Sequence, residues 1–255
     1  MERNLFYYSW DHIEKILKNS PAVFVTAGSF EQHGYHLPMG TDVILTHAVL
    51  DKICEENKLY YFPCATYGQV WSARDYPGTI SIEENVLVEY LLDIVKSIHR
   101  YANIKIILYS FHKGNFHVLQ QVMRKAYDYG WKEVYVLKHN ELEKEAEKIL
   151  DTQSPAGIWH AGELETSMML YVKKSLVHME KATAEFPVFP GAWENRAVPW
   201  KEILQSGAFG DSQSATVEKG EKLYELWTRK LSERVKGILG KEQWKDGAEK
   251  KIIGV

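Results

Sequence analysis

A run of six mostly apolar residues, 22–27 (A-V-F-V-T-A), is the feature that most constrains the fold of this chain. The run lacks polar alternation, which is typical of a strand buried on both faces in a parallel sheet. Similar runs recur downstream, and helix-like stretches alternate with them. This order predicts an α/β protein, a three-layer α/β/α fold with a mainly parallel central sheet. The predicted strands are 22–27, 59–62, 104–109 and 133–137.

Six stretches with apolar residues at helical spacing fill the intervals between and after these strands. Asp42 stands at the start of the first stretch, where a carboxylate is a good helix N-cap. The last stretch has a charged outer face. The predicted helices are 43–57, 83–101, 116–129, 141–150, 163–174 and about 216–239.

Length and composition indicate an ordinary globular protein. The chain has 255 residues, of which 45% are hydrophobic and 25% charged, and a net charge of −3. We therefore expect a single domain over residues 1–255, without a nucleic-acid partner. No apolar run reaches the length of a membrane span, and residues 1–8 lack a signal-peptide core. Cys54 and Cys64 form no CxxC pair, which favours reduced thiols in a cytoplasmic protein.

Metal-binding types of side chain are concentrated just after the first strand. Glu31, His33, His36 and Asp42 lie within twelve residues. Carboxylate oxygens and imidazole nitrogens in this mixture suit zinc, manganese or iron. Glu31 and His33 share a side if the segment is extended, and Asp42 can reach back toward the same point. Open α/β sheets build their sites past the carboxyl ends of such strands.

A further histidine, His112, follows the predicted strand 104–109. Taken alone, a histidine in this position is more often a hydrogen-bonded structural residue than a ligand. At the same sheet edge as the first cluster, it becomes a candidate metal ligand. The neighbouring Lys113 either offers a cation to a hydroxyl, carboxylate or developing oxyanion, or points to solvent.

Four segments, in order, resemble signatures of the creatininase family (creatinine amidohydrolase and relatives). Residues 28–42 resemble the family's G-S-x-E-Q-H-G-x-H-L-P followed by T-D, and residues 160–167 read H-A-G-E-L-E-T-S. Residues 76–81 read Y-P-G-T-I-S, and the segment 210–220 carries G-D and A-T-V-E-K-G. The matches extend from about residue 22 to residue 220.

The resemblance implies two divalent metal ions, zinc, manganese or iron, with an activated water bridging them as the nucleophile. Five candidate ligands are too many for one open zinc site, which usually has three protein ligands and a water. They fit two ions about 3.5 Å apart. Gly114 replaces a carboxylate that creatininase itself uses, so another residue must complete the set. The expected ligands are Glu31 and His112 on one ion, His33 and Glu165 on the other, and Asp42 as the bridge.

The remaining motif residues receive supporting roles. The resemblance places His160 beside the substrate as an acid/base or carbonyl-polarising group. His36 is interpreted as a residue that orients a ligand, and Glu163 as a solvated residue near a helix N-terminus. Candidate substrate contacts are Lys113, Arg74 and Trp193. We assign no chemistry to His47, His99, His117, His139 and His178.

These observations predict a hydrolase of a small cyclic amide, formamide or related carbonyl compound. The residues around His112 and the stretch 71–75 differ from the family pattern, which argues against creatinine as the substrate. Two alternatives stay open. Lys113 and Arg74 could bind a polyol-derived cyclic ketone of the inosose type, opened by C–C cleavage. The altered loop could also indicate a metal-stabilised binding protein without catalysis.

The segment 185–196 is rich in proline and aromatic residues and has no clean period, which predicts a long loop. Such a loop forms either a pocket wall or a subunit contact. Exposed Phe189, Trp193 and Trp200 would be an unusual apolar patch on a monomer. The family resemblance implies a homo-oligomer, a hexamer, and closed symmetry favours dimers and rings built from them.

Overall fold

The computed structural model describes residues 2–139 and 141–240. Its central sheet has four strands, all parallel, in the order β2-β1-β3-β4. Each predicted strand is present, shortened by one residue at one or both ends. The strands are β1 (Ala22–Thr26), β2 (Tyr60–Tyr61), β3 (Lys105–Tyr109) and β4 (Val134–Val136).

Helices surround this sheet, and five of the six predicted ones have ends within two residues of the prediction. The sixth, α5, is much shorter than predicted, while α1 was not predicted. The helices are α1 (Trp10–Asn19), α2 (Thr41–Asn57), α3 (Glu84–His99), α4 (Phe116–Asp128), α5 (Leu142–Ala146), α6 (Glu163–Lys173) and α7 (Val217–Leu239). A small antiparallel pair, β5 (Ala184–Glu185) and β6 (Gly210–Asp211), lies outside the main sheet.

The two faces of the sheet bury different helices. Phe24 of β1 packs in a core with residues of α2, α5, α6 and α7. Val23 and Val25 point the opposite way, into a core with residues of α1, α3 and α4. Successive strand residues alternate between faces, so an all-apolar strand must be covered on both sides. The predicted three-layer α/β/α architecture is confirmed. None of the helices within residues 2–139 and 141–240 is long and apolar enough to cross a membrane.

The prediction that Asp42 caps α2 is wrong. The helix begins at Thr41, with Gly40 at the cap position and no side-chain cap hydrogen bond. Asp42 lies inside the first turn and is buried, and its Oδ2 accepts a hydrogen bond of 2.6 Å from Ser29. Its carboxylate is therefore used in a long-range polar contact rather than on its own helix.

Helices α6 and α7 approach each other very closely at Gly220. A Cβ atom built on Gly220 would lie 1.9 Å from the backbone oxygen of Ser167. No side chain fits at that distance without movement of the backbone. Thr216 fixes the start of α7 in the same region, since its side chain accepts a hydrogen bond from the Lys219 amide.

We expect the substitution Gly220→Ala to destabilise the protein by about 1–3 kcal/mol, because the added methyl group must push α6 and α7 apart. Gly237→Ala on the same helix is the matched control, since nothing lies within 4 Å of its built Cβ. Alanine there should stabilise by about 0.5–1 kcal/mol through helix propensity. Urea unfolding of both variants measures the two effects. Equal stability of the two variants would contradict the close approach.

Candidate metal centre

Five of the predicted site residues meet in one buried cluster. Glu31 and His33 lie in the segment after β1, and His112 follows β3. Asp42 comes from the first turn of α2 and Glu165 from the first turn of α6. The carboxyl ends of neighbouring parallel strands and two helix starts therefore converge on one point, as open α/β sheets do at their sites.

The cluster divides into two groups that share Asp42. In the first, Nδ1 of His112 lies 3.1 Å from Glu31 Oε2 and 3.0 Å from Asp42 Oδ2. In the second, Nε2 of His33 lies 3.8 Å from Asp42 Oδ2 and 3.7 Å from Glu165 Oε2. Within each group the possible ligand atoms all lie within 4.8 Å of one another.

Backbone carbonyls orient both imidazoles in these groups. Nδ1 of His33 donates to the carbonyl oxygen of Glu31 at 3.0 Å. Nε2 of His112 donates to the carbonyl oxygen of Gln69 at 2.8 Å. Because a carbonyl oxygen only accepts, the opposite ring nitrogens, His33 Nε2 and His112 Nδ1, face the carboxylates. Metal-binding histidines are commonly fixed by such a hydrogen bond on the far nitrogen.

Several buried polar atoms of the cluster are unsatisfied, and this is the observation that tests whether a cation fits. Both carboxylate oxygens of Glu31 and Nε2 of His33 have no hydrogen-bond partner within the described residues. Buried polar atoms normally have partners, and buried carboxylates are normally paired or coordinate metals. Divalent cations bound in the two groups would satisfy these atoms, so the donor set fits such ions.

The electrostatics of the cluster favour positive charge. Burial opposes ionisation of Asp42, but His112 and His33 outweigh it and hold the pKa of Asp42 below its usual range. The pKa of Glu31 is likewise lowered against burial, mainly by His112. In turn, Glu31 and Asp42 overcome burial and hold the pKa of His112 well above its usual value. Opposite charges favour one another's charged form in this way.

Glu165 accepts a hydrogen bond from a residue whose backbone is strained. Its Oε2 accepts a hydrogen bond of 2.6 Å from the amide of Ala161. Ala161 has φ of +50°, in the left-handed region that residues other than glycine seldom adopt. Burial raises the pKa of Glu165 to about 7, with His33 opposing the shift. Strained backbone of this kind is concentrated at functional sites.

Gly114 cannot be replaced by a carboxylate in this arrangement. A Cβ atom built on Gly114 would lie 2.3 Å from Nε2 of His112 and 2.7 Å from the carbonyl oxygen of Gln69. The hydrogen bond from His112 to the Gln69 carbonyl occupies the space that a side chain at position 114 would need. The further carboxylate of the cluster comes from another element, as Glu165 of α6.

His160 lies against the cluster and forms a third group with Glu31 and His33. Its Nε2 is 4.0 Å from Glu31 Oε1 and donates to the carbonyl oxygen of Gln32 at 2.8 Å. Its ring centroid lies 4.5 Å from that of His33 and 4.7 Å from that of Trp200. Burial lowers the pKa of His160 to about 4, so the imidazole is neutral near pH 7.

His36 is buried and contacts the start of α6. Its Nε2 lies 2.8 Å from the hydroxyl of Thr166, the residue next to Glu165. Burial lowers the pKa of His36 to about 4, which keeps it neutral. The structure thus places His36 where it can hold the first turn of α6, and hence Glu165, toward the cluster.

A cavity of about 290 Å³ opens beside the cluster. Glu31, Asp42, His112, His160 and Glu165 line its polar part. The apolar wall is largely aromatic and is formed by Trp71, Phe111, Trp159, Trp200 and Trp227. Lys113 also lines the cavity and forms an ion pair with Glu143, with a nitrogen–oxygen distance of 2.8 Å.

Two predicted substrate contacts lie elsewhere. Within the described part of the chain, neither Arg74 nor Trp193 lines the cavity. The guanidinium of Arg74 stacks over the ring of Trp71 at 4.4 Å, so it supports a wall residue from outside. Trp193 stacks on Phe189, with ring centroids 4.4 Å apart. Each of these two side chains packs against an aromatic ring and does not line the cavity.

Trp200 forms part of the pocket wall, which is one of the two roles expected for the aromatic loop. It lines the cavity and contacts His160, and its amide donates to the carbonyl oxygen of Ser72 at 2.8 Å. Phe189, Trp193 and Trp200 are all half-buried, so the expected exposed patch of these three is wrong. The exposed apolar residues of the loop are instead Phe186, at 57%, and Val188, at 88%.

From the sequence, one buried residue of the site region was misinterpreted and another was assigned no chemistry. Glu163 is not solvated: its carboxylate accepts hydrogen bonds from the amides of Asp151 and Thr152 and pairs with Lys219. His139 is buried in the cavity wall, although no sequence pattern selects it. Glu163 stands in the H-A-G-E-L-E motif, but the motif does not reveal its burial or its partners. No local signal identifies His139, since its partners come from distant segments.

Comparisons with known proteins agree with this geometry. The family model described as "Creatininase: Creatinine amidohydrolase" matches residues 7–235. Creatinine amidohydrolase of Pseudomonas putida is 24% identical over 245 residues, covering 89% of this chain and 94% of its own. A mycofactocin precursor peptide peptidase of Mycolicibacterium smegmatis is 25% identical over 228 residues, covering 85% of each chain.

The fold also matches a solved structure. A mutant creatininase of the Zn-Zn type superposes with a TM-score of 0.82 at 22% identity, covering 93% of this chain and 98% of its own. The family-model match spans most of the chain and includes every element that carries a residue of the cluster. This chain belongs to the creatininase family of metal-dependent hydrolases.

Proposed function

We propose that this protein is a dinuclear metal-dependent hydrolase that acts on a small cyclic amide, formamide or related carbonyl compound. The observation that carries the proposal is the position of Asp42, whose Oδ2 lies 3.0 Å from His112 and 3.8 Å from His33. One carboxylate shared by two groups of ligands is the arrangement of a two-metal site.

The proposed ligands follow the two groups. One ion would be held by Glu31, Asp42 and His112, and the other by His33, Asp42 and Glu165. When bound, the two ions, zinc, manganese or iron, supply Lewis acidity that polarises the substrate carbonyl and lowers the pKa of the attacking water. Ser29 would hold the shared carboxylate in place through its 2.6 Å hydrogen bond to Asp42.

Residues of the cavity wall would bind and orient the substrate. His160 is neutral and lies between the cluster and Trp200, which suits hydrogen bonding and proton transfer at the reacting group. The aromatic wall would exclude water and stack on a flat ring. Lys113 lines the same cavity and is the cationic group proposed to contact the substrate.

The cavity volume supports a small substrate over a long one. About 290 Å³ lies at the low end of ligand pockets, which suits a compound of one ring or a short side chain. A polyol-derived cyclic ketone has weaker support, because Arg74, one of the two side chains that motivated it, lies outside the cavity wall. The non-catalytic alternative has little support, because all five expected ligands are present and converge.

An activity screen of metal-loaded protein tests the proposal. The panel contains cyclic amides and ureides, aryl formamides, short peptides and oxidised inositols, each with zinc, manganese or iron. We expect hydrolysis of at least one small cyclic amide or formamide. Turnover of an inosose alone would move the function to C–C cleavage, and turnover of peptides alone would move it to a peptidase. No turnover in any arm would contradict the proposed function.

We expect the substitution Asp42→Ala to remove both metal ions and to lower the hydrolysis rate more than about a hundredfold. The reason is that each ion loses a ligand and part of its charge compensation at once. Metal content and initial rates are measured on the same preparations, with circular dichroism to verify folding. Asp51→Ala is the matched control: Asp51 lies on the same helix, α2, and contacts Tyr61 rather than the cluster. Two retained metals and a near-normal rate would refute the bridging role.

The substitution His160→Gln separates catalysis from metal binding. We expect it to retain both metal ions and to lower the turnover number by about 10²–10⁴-fold, the usual effect of losing a positioned acid/base group. The glutamine can keep the hydrogen bond to the Gln32 carbonyl but cannot shuttle a proton. If metal content fell with activity, His160 would instead be a metal ligand, as its group with Glu31 and His33 also permits.

We expect the chain to form a homo-oligomer, a hexamer by the family resemblance. Val188 is 88% exposed and Phe186 57% exposed on the aromatic loop, which favours burial of this loop against another copy. Light scattering should give a mass several times that of the 29.5 kDa chain. Val188→Lys should lower the measured mass, because a charged side chain would disrupt the contact. Tyr129→Lys, at an exposed aromatic residue outside this loop, should leave the mass unchanged. A wild-type monomer at micromolar concentration would disprove the assembly.

A further inference from the structure

A second polar group lines the cavity beside the metal cluster, formed by Lys113, His139 and Glu143. Lys113 follows His112, His139 comes after β4, and Glu143 lies on α5. None of the three belongs to the groups of possible metal ligands found in residues 2–139 and 141–240. These residues therefore form a separate feature of the wall, and we call them the polar subsite.

The ion pair of the polar subsite makes it neutral overall. Nζ of Lys113 lies 2.8 Å from each carboxylate oxygen of Glu143. The side chain of Glu143 is only 12% exposed, while that of Lys113 is 37% exposed. The lysine has three donors and the carboxylate several lone pairs, so both retain capacity for another hydrogen bond.

His139 is the buried, neutral member of the polar subsite. Its Nε2 lies 3.2 Å from the carbonyl oxygen of Ser110 and 3.1 Å from that of Phe111, to which it donates. Phe116 and Trp227 pack against the ring and hold its orientation. Nδ1 thus bears the lone pair, and it has no hydrogen-bond partner in the described part of the chain. Burial, and secondarily the charge of Lys113, lower the pKa of His139 to about 4, so the ring stays neutral.

We propose that the polar subsite selects substrates that carry, besides the reacting carbonyl, an uncharged group able both to donate and to accept a hydrogen bond. A primary carboxamide and a hydroxyl share this chemistry. Such a group accepts from Lys113 and donates to Glu143 without breaking the ion pair. This inference rests on the proposed function, since it describes the substrate of the same cavity.

Charged and apolar groups fit the polar subsite poorly. A carboxylate on the ligand is attracted by Lys113 but meets the carboxylate of Glu143 in the same wall. A cationic group meets the reverse conflict with Lys113. An alkyl group offers Lys113 and Glu143 no hydrogen bond in place of the water that it displaces, which a site built for hydrogen bonding rejects strongly. The arrangement thus discriminates by repulsion as well as by attraction.

The test measures binding of four matched hydantoins to the metal-loaded protein by tryptophan fluorescence, in rapid mixing before turnover. The probes differ only at C5, which carries carboxamidomethyl, hydroxyethyl, carboxymethyl or ethyl. We expect the first two to bind about tenfold more tightly than the last two, a difference of about 1.4 kcal/mol. The stronger binder of the first two identifies a carboxamide or a hydroxyl as the natural group.

Two variants and one control connect this ranking with the polar subsite. Glu143→Gln removes the anionic partner of Lys113 and should tighten carboxymethyl binding about tenfold, which would abolish the preference for carboxamidomethyl over carboxymethyl. Lys113→Met should weaken carboxamidomethyl binding without strengthening carboxymethyl binding. Glu145→Gln is the control, because Glu145 lies on the same helix but pairs with Lys230 at 3.0 Å away from the cavity wall. Its ranking should match that of the wild type.

Three results would overturn the inference. These are wild-type binding of the carboxymethyl probe as tight as that of the carboxamidomethyl probe, an unchanged ranking in Glu143→Gln, and no binding of any probe by any form. Because the readout is a dissociation constant, the outcome is independent of turnover. Correct ranking without hydrolysis of any cyclic amide would contradict the proposed function and leave the polar subsite intact.

Discussion

The removal of carboxylates from water is the constraint on which the rest of this structure depends. Glu31, Asp42 and Glu165 are each at most 7% exposed and converge with two histidines. Burying an unpaired ion has an effective cost of several kcal/mol, so these residues can share a dry site only with compensating positive charge. The protonated imidazoles or bound metal ions meet that requirement. The fold supplies the point of convergence, where β1 and β3 end beside the starts of α2 and α6.

Backbone groups, more than side chains, keep this cluster in order. The carbonyls of Glu31 and Gln69 fix the two imidazoles, and the amide of Ala161 holds Glu165. These groups belong to loops whose conformations are set by the sheet beneath them. A tight arrangement of this kind explains why Gly114 has no room for a side chain. The proposed set of ligands thus depends on the path of the loop after β3.

Sequence reasoning reached the parallel sheet and the convergence of Glu31, His33, Asp42 and His112, because strand order and sheet edges follow from local patterns. The prediction that Asp42 caps α2 was wrong, since its hydrogen bond with the distant Ser29 outweighs the local preference of aspartate for the cap position. For a related reason, Glu163 was wrongly interpreted as solvated, and His139 and Glu143 were not selected. Their surroundings are assembled from segments distant in sequence, and burial of a charged or polar residue leaves no periodic signal. The cavity position of Trp200, rather than Trp193, likewise depends on how the long loop folds back onto residues 71–74.

Anomalous diffraction from crystals of the zinc- or manganese-loaded protein tests the central claim most directly. The account predicts two peaks about 3.5 Å apart. One peak should contact Glu31 and His112, the other His33 and Glu165, with Asp42 in contact with both. A single peak, or two peaks that do not share Asp42, would contradict a dinuclear centre bridged by this residue.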